Sequence, residues 1–222
     1  MEFQINHITK RFRNKKVLTD ICLQAQPGHC IGILGSNGSG KSTLLSILAG
    51  VLKADSGEFV CDGVNLLTDH KKRAQYVGYV PQGTPLMEEL TARDNLLLWY
   101  DRKALEDSLE NGVLHLLGIS AFLNTTVSKM SGGMKKRLSI GCAMANQPPV
   151  LLLDEPMAAL DLGCKEAISC WLKGYKEQGG ILLLTTHDAM ELALCDSWYI
   201  LKDGVLQPFT YTGDIHELVE QL

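Results

Sequence analysis

The apolar residues of the chain fall into short continuous runs separated by longer amphipathic segments. Three runs, HCIGILG, VLLLDE and GILLLTTH, are largely apolar before they end at glycine or polar residues. Runs of this length and density predict strands that are buried on both faces of a sheet. Segments such as KSTLLSILAGVL and CKEAISCWLKGYKEQ, which predict helices, alternate with them. This alternation predicts an α/β fold with a mostly parallel sheet covered by helices on both faces.

The middle of the chain has a different pattern. The segments LTARDNLLLWYDR, LEDSLENGVLHLLG and SGGMKKRLSIGCAMAN predict helices, and few β-rich runs lie between them. We therefore expect a helical lobe, at about residues 84–145, inserted into the α/β core. The prediction is a single domain over residues 1–222, whose core is formed by residues 1–83 and 146–222.

The two ends of the chain also carry recognisable elements. FQINHIT alternates like a strand, and KVLTDICLQAQPG predicts a second strand closed by a Pro-Gly turn. SWYILKDG predicts a late strand, and GDIHELVEQL predicts a closing helix.

Composition narrows the class of protein. The 222 residues are 45% hydrophobic and 21% charged, as in ordinary globular domains, and the net charge of −4 argues against nucleic acid as a partner. No apolar run approaches the ~20 residues that span a bilayer, and the N-terminus has no secretory signal pattern. We expect a cytoplasmic chain that reaches a membrane only through a partner. The seven cysteines form no C-x-x-C pair, which favours reduced thiols over a disulfide or a zinc site.

The first candidate site is a glycine-rich loop between a predicted strand and a predicted helix. GSNGSGKS, residues 35–42, fits G-x-x-x-x-G-K-[ST], whose backbone N–H groups and helix N-terminus bind phosphates. A glycine turn without a ligand is the alternative, but the strand–loop–helix context favours a nucleotide. The predicted nucleotide-binding residues of this loop are Gly35, Ser36, Asn37, Gly38, Ser39, Gly40, Lys41, Ser42 and Thr43.

Acidic and polar residues follow three other predicted strands. Asp154 and Glu155 end VLLLDE, His187 follows ILLLTT, and Gln82 follows YVGYVP. In a parallel sheet the carboxyl ends of the strands face the ligand crevice, so these side chains should converge on the loop. We predict that Asp154 binds Mg²⁺ together with the Ser42 hydroxyl, and that Glu155 orients or deprotonates the attacking water.

Six motifs then occur in a fixed order: GSNGSGKST, YVPQ, SGGMKKRLSIGCAMA, VLLLDEP, AALD and LLTTHD. Over roughly residues 3–207 this set closely resembles the ATPase subunit of ABC transporters. The resemblance implies a P-loop NTPase core with a mostly parallel sheet, an N-terminal antiparallel β part and an inserted helical lobe. It also implies ATP and Mg²⁺ as ligands.

The resemblance assigns further roles to individual residues. Gln82 corresponds to the glutamine that couples nucleotide to the helical lobe and contributes to the metal site, and His187 to the histidine that contacts the γ-phosphate. Lys41, Gln82, Glu155 and His187 form the expected catalytic set. Phe12 is expected to stack on adenine and Asp161 to belong to the loop between subunits. Ser131, Gly132 and Gly133 form the family signature, which binds the γ-phosphate of ATP on the other subunit of a dimer.

Two residues depart from the family pattern. Met130 and Met134 stand where leucine and glutamine are usual, and the thioether of Met134 lacks the hydrogen-bonding groups of an amide. SGGMKKRL is similar to the ATPases of exporters that have separate permease chains, which favours export. Lys135, Lys136 and Arg137 predict a solvated helix face.

The implied partners are integral membrane permease subunits and a second ATPase subunit, in a homodimer or a heterodimer. The permease is expected to dock on the lobe near residues 82–100, holding the chain on the inner face of the membrane. A soluble ABC-type ATPase serving iron–sulfur cluster assembly or the ribosome is the alternative. An ATP-gated binding module without turnover, or a P-loop kinase, fits the combined motifs less well.

Overall fold

The computed structural model describes residues 2–186 and 188–213, which form two β-sheets and a set of helices. The helix predicted at GDIHELVEQL lies outside the described residues. The strands are β1 Phe3–Phe12, β2 Lys15–Ala25, β3 Cys30–Leu34, β4 Ser56–Cys61, β5 Val64–Asn65, β6 Val77–Val80, β7 Val150–Asp154, β8 Ile181–Thr185, β9 Ser197–Lys202 and β10 Val205–Phe209.

The larger sheet has six strands in the order β10-β9-β3-β8-β7-β6. All neighbouring pairs from β9 to β6 are parallel, and β10 pairs antiparallel with β9 at the edge. Every residue of β3, β7 and β8 is buried, which is why these strands are apolar along their whole length. β10 contains Pro208, which an edge strand tolerates because one side of it needs no partner.

The smaller sheet has four strands in the antiparallel order β2-β1-β4-β5. In its β1–β2 hairpin the two strands pair along most of their length, and the register shifts at three points. The sheet lies against one face of the larger one, with the side chains of Phe3, Ile5 and Ile8 in the shared core.

The helices differ widely in length. Those between β6 and β7 are short, apart from two of ten and twelve residues. Two 3₁₀ helices, Ile119–Phe122 and Val127–Lys129, lie in the same stretch. The α-helices are α1 Lys41–Ala49, α2 His70–Tyr76, α3 Ala92–Leu96, α4 Arg102–Asn111, α5 Val113–Leu116, α6 Gly132–Ala143, α7 Leu162–Glu177 and α8 Ala189–Leu192.

Two hydrophobic cores lie on opposite faces of the larger sheet. Val150 and Leu152 of β7 pack with α1 and the smaller sheet, whereas Leu151 and Leu153 pack with the helices that follow β6. This division follows from the alternation of side chains along a strand. Strand β7 therefore contributes side chains to both hydrophobic cores.

The predicted fold class is confirmed, including the mixed architecture of a mainly parallel sheet, an antiparallel N-terminal sheet and added helices. The bounds of the helical subdomain, 84–145, stay a prediction. α2, β5 and β10 were not predicted, because they are short and lack a strong period. No helix within the two described ranges combines the length and apolarity that crossing a bilayer would take.

Candidate nucleotide site

Four strands of the larger sheet end at the same edge and supply most of the predicted site residues. The glycine-rich loop follows β3, Thr185 ends β8, Asp154 ends β7, and Gln82 comes two residues after β6. Because these strands are parallel neighbours, their carboxyl ends converge. The polar residues of the site therefore lie together at one edge of a buried, apolar sheet.

The loop has a backbone that only glycine adopts easily. Gly35 has a φ of 150° and Gly40 a φ of 113°. A Cβ at Gly35 would lie 2.5 Å from the carbonyl oxygen of Leu201, so a side chain there would collide with β9. Gly40 is the N-cap of α1, and the loop therefore delivers its N–H groups directly onto a helix N-terminus.

The side chain of Lys41 folds back onto the glycine-rich loop that precedes it. Its Nζ donates hydrogen bonds to the carbonyl oxygens of Gly35, at 2.5 Å, and Ser36, at 3.3 Å. Burial lowers the pKa of Lys41, and the charges of Glu155 and Asp154 oppose that shift. The ammonium group thus lies close to both acids and at the base of the loop.

A cavity of about 470 Å³ opens between the loop and the hairpin of the smaller sheet. It brings together predicted residues from four distant parts of the sequence. Phe12, 45% exposed, borders it from the end of β1. Its lining consists of Phe12, Val17, Asn37, Gly38, Gly40, Lys41, Ser42, Thr43, Gln82 and Glu155.

Asp154 and Glu155 are positioned by one residue of the neighbouring strand. Thr185 Oγ1 donates to Asp154 Oδ1 at 2.6 Å and accepts from the backbone N–H of Glu155 at 3.1 Å. Asp154 is only 3% exposed. Glu155 has a left-handed φ of 48°, an unusual conformation for a non-glycine residue, and this turn directs it into the cavity.

Gln82 and Glu155 meet across the cavity. Gln82 Nε2 donates a hydrogen bond to Glu155 Oε2 at 2.9 Å, linking the ends of β6 and β7. An amide and a carboxylate facing a glycine-rich loop in this way can position a water molecule and accept its proton. His187 lies outside the described residues.

The signature residues do not line this cavity. Ser131 is the exposed N-cap of α6, and its Oγ accepts from the backbone N–H of Met134 at 3.2 Å. A Cβ at Gly133 would lie 2.4 Å from Cys164 Sγ, so the start of α6 packs closely on the start of α7. Asp161 is the N-cap of α7, and the hydrogen bond from the Cys164 N–H lowers its pKa. The structure thus places Ser131, Gly132 and Asp161 on a separate surface.

The two methionines of the signature pack into the helical region. Met130 is buried and Met134 is half-buried against the same hydrophobic core. The thioether of Met134 therefore helps to pack α6 against the hydrophobic core.

The prediction of a solvated basic face on α6 is wrong for Lys136. Lys136 is 4% exposed, and its Nζ donates to the carbonyl oxygens of Pro81, at 3.1 Å, and Gln82, at 3.2 Å. Burial lowers its pKa, while Asp154, Glu191 and Glu155 oppose the shift. Lysine is seldom buried, and here two backbone acceptors and nearby acids compensate for the lost hydration.

Sequence reasoning missed three residues of the site. Thr185, Lys136 and Glu191 make its supporting contacts, and Glu191 Oε1 accepts from the backbone N–H of Met157 at 2.6 Å. The only signal for Thr185 was its place at the end of an apolar strand, beside Asp154 in the β7–β8 register. Lys136 and Glu191 gave no signal, because their partners are distant in sequence.

Comparisons with known proteins identify relatives of this chain. The model of the ABC transporter family matches residues 18–158. The Nod factor export ATP-binding protein I of Rhizobium etli is 31% identical over 220 residues, which cover 97% of this chain and 69% of that protein. A probable sulfate/thiosulfate import ATP-binding protein of Chlorella vulgaris is 35% identical over 219 residues, covering 93% of this chain and 92% of the other.

A solved structure extends the comparison to three dimensions. It is a dimeric ATP-binding cassette in a post-hydrolysis state, bound to ADP and Pi. Its TM-score is 0.79 at 30% identity, and the match covers 92% of this chain and 96% of that one.

Proposed function

The chain belongs to the ABC transporter family, and we propose that it is the ATP-binding and ATP-hydrolysing subunit that powers transport through a partner membrane permease. The observation that carries the proposal is the Gln82–Glu155 hydrogen bond across a cavity lined by the glycine-rich loop. This contact supports the proposal because a carboxylate and an amide opposite a phosphate-binding loop can serve as base and as water-positioning group.

The proposed roles follow from position. Lys41 and the loop N–H groups bind the β- and γ-phosphates, and Phe12 stacks on adenine at the open end of the cavity. Glu155 accepts the proton of the attacking water, which Gln82 helps to orient. His187 is proposed to contact the γ-phosphate.

A magnesium ion is proposed to be held by Ser42, Asp154 and Gln82. The donor set fits, since a hydroxyl, a carboxylate and an amide oxygen are the hard ligands that Mg²⁺ prefers. Ser42 borders the cavity and Asp154 lies near Lys41 beneath it. The ion would neutralise phosphate charge, and the residues named here would fix its place.

The site is proposed to be completed by a second ATPase subunit. Ser131 and the amides of Gly132 and Gly133 begin a helix, which makes an anion-binding end, but they lie away from the chain's own cavity. A second chain placed head to tail would bring its signature to this ATP, and closure would then depend on ATP. The similar dimeric cassette supports this arrangement. Either a homodimer or a heterodimer satisfies it.

A permease is proposed to bind beside Gln82. Four large apolar side chains in the following segment are exposed: Met87 by 52%, Leu97 by 38%, Leu98 by 54% and Trp99 by 64%. Three of them are consecutive, and adjoining exposed apolar side chains are typical of a protein-binding surface. The occupant we propose is a cytoplasmic segment of the permease, which would hold the chain at the inner face of the membrane. Leu98→Glu should reduce co-purification with that permease and leave ATP binding intact.

The direction of transport is proposed to be export. SGGMKKRL carries this proposal, and one relative described above is named as an export protein and the other as an import protein. Both are transporter subunits, so the alternative of a non-membrane assembly has no support from them. Inside-out vesicles carrying the complex should accumulate substrate when ATP is added outside.

Replacement of Glu155 by Gln tests the proposed activity. The variant keeps the size of the side chain and removes the base, so ATP hydrolysis should fall more than about 100-fold, while ATP still binds. Glu166→Gln, an exposed acid of α7, is the matched control and should hydrolyse ATP normally. Hydrolysis at the normal rate by the Glu155→Gln variant would rule out Glu155 as the base.

A further inference from the structure

Three exposed side chains of types that can ligate a metal lie together on the β1–β2 hairpin. We propose that His7, Asp20 and Cys22 form a binding site for a zinc-like divalent transition metal. Their ligand atoms all lie within 4.8 Å of one another, and all three residues are exposed. The proposal is independent of the ATPase function, because none of these residues lines the nucleotide cavity.

The distance between His7 and Cys22 matches a shared metal ion, whereas His7 and Asp20 lie at hydrogen-bond distance. His7 Nδ1 lies 3.6 Å from Cys22 Sγ and 2.5 Å from Asp20 Oδ1. Tetrahedral zinc holds nitrogen and sulfur ligands about 3.6 Å apart, and nitrogen and oxygen ligands about 3.3 Å apart. The imidazole and thiol are therefore already at ligand spacing. The Asp20 side chain is 66% exposed, so its carboxylate can withdraw from the imidazole by the small distance required.

Two irregularities of the hairpin bring the side chains together. Ile5 pairs with Leu23 and Ile8 with Ile21, so Asn6 and His7 face Cys22 alone. Such a bulge re-aims the side chains on its strand.

A second irregularity acts on the opposite strand. Ile8 pairs with Ile21 and Lys10 with Leu18, so Thr19 and Asp20 face Thr9 alone. His7 has a φ of 54° and Asp20 a φ of 55°, and both leave the regular alternation of their strands. The imidazole and carboxylate consequently point to the same side as Cys22.

The ligand chemistry decides which ions suit the cluster. Thiolate and imidazole favour zinc, cobalt or copper over Mg²⁺ and Ca²⁺, which prefer oxygen ligands only. Three protein ligands leave one tetrahedral position to water. Without metal, His7 and Asp20 share a hydrogen bond between exposed side chains. Exposed polar pairs of this kind stabilise a protein little.

Cobalt is the probe that separates this cluster from the nucleotide site. The full chain without nucleotide is titrated with Co²⁺, and thiolate-to-cobalt charge-transfer absorption is recorded. Any Co²⁺ bound at Ser42 and Asp154 has oxygen ligands and gives no thiolate band. We expect one band that saturates at one ion per chain and disappears in Cys22→Ser. Cys170→Ser removes the other exposed thiol and should leave the band unchanged.

Zinc affinity tests the other two ligands. Competition with a chromophoric chelator should show a loss of at least about 100-fold in His7→Asn, since removal of supporting ligand partners alone costs 10–100-fold. Asparagine tolerates the left-handed backbone at position 7, so this variant should fold. Asp20→Asn should also weaken zinc binding, because it replaces the carboxylate ligand by a neutral amide. Absence of a thiolate band, or equal zinc affinity in the wild type and His7→Asn, would overturn the proposal.

Discussion

Lys136 Nζ on the signature helix donates a hydrogen bond to the backbone carbonyl oxygen of Gln82, 3.2 Å away. The same ammonium group binds the carbonyl oxygen of Pro81. Helix α6, whose N-cap is Ser131, is therefore hydrogen-bonded to Gln82, and the side chain of Gln82 contacts Glu155. A displacement of α6 during the proposed closure of two subunits would act directly on the position of Gln82.

Replacement of Lys136 by Met should separate catalysis from binding. The variant keeps an apolar stem and removes the donor from the carbonyl groups of Pro81 and Gln82. These hydrogen bonds are only partly buried, so their loss should cost about 1 kcal/mol each. Gln82 should lose its fixed position, so kcat for ATP hydrolysis should fall about 10-fold or more with little change in KM. Steady-state kinetics measures this. Lys135→Met, which removes an ion pair with Glu88, is the control and should keep both constants. Equal kcat in both variants would show that Lys136 serves packing only.

Thr185→Val should reduce hydrolysis by a different route. Valine fills the same buried space and lacks the hydroxyl that binds Asp154 and Glu155. We expect kcat to fall about 10-fold, with a loss of about 1–3 kcal/mol in the free energy of unfolding. Thr185→Ser retains the hydroxyl and should recover most of the rate. Failure of serine to restore activity would contradict the assigned hydrogen bonds.

Ser131→Arg should affect the dimer and spare the monomer. The residue is exposed at the start of α6, so a large cation there obstructs a partner's nucleotide and leaves the chain's own cavity unchanged. ATP binding to the isolated chain should persist, and ATP-driven dimerisation on a Glu155→Gln background should be lost. Size-exclusion chromatography with ATP measures the second effect. Ser120→Arg, at an exposed position of the 3₁₀ helix Ile119–Phe122, is the control. A loss of ATP binding by the monomer would mean that Ser131 belongs to the chain's own site.

Glu191 should make stability depend on pH. Burial raises its pKa from 4.5 to about 7, the Thr186 and Met157 hydrogen bonds oppose this, and Asp188 reinforces it. The folded state therefore holds the proton more tightly than the unfolded state. The resulting stability is complete below about pH 4.5 and is lost as the pH rises to about 7, by an amount on the order of 3 kcal/mol.

Glu191→Gln tests this dependence, since the amide oxygen still accepts from the Met157 N–H. Urea unfolding should show similar stability for variant and wild type at pH 5, and a variant more stable by up to about 3 kcal/mol at pH 8. The exposed Glu110→Gln variant should follow the wild type at both values. A constant difference between Glu191→Gln and wild type would contradict the raised pKa.

The parts of the fold that could be predicted are those in which a continuous run of apolar residues identifies a buried strand. β3, β7 and β8 are buried along their whole length, so continuous apolar runs identify them. The chemistry at their ends follows from the convergence of parallel strands, which explains why the loop, Gln82 and Glu155 were found as a set.

The supporting residues could not be predicted in the same way. Lys136 lies 54 residues from Gln82 in the chain, and a lysine in a basic run normally faces water. Its burial becomes evident only when α6 is placed against the end of β6. Thr185 likewise requires the β7–β8 register, which the sequence pattern does not determine.

The separation of Ser131 from the nucleotide cavity has a kinetic consequence. One molecule carries both halves of the proposed site and cannot bring them into contact, so each turnover begins with an encounter between two molecules. For a homodimer of the isolated subunit at low concentration, hydrolysis per litre should follow the square of the protein concentration, and specific activity should fall on dilution. A permease that holds two copies side by side would abolish this dilution effect, because tethering replaces a free collision with a high local concentration.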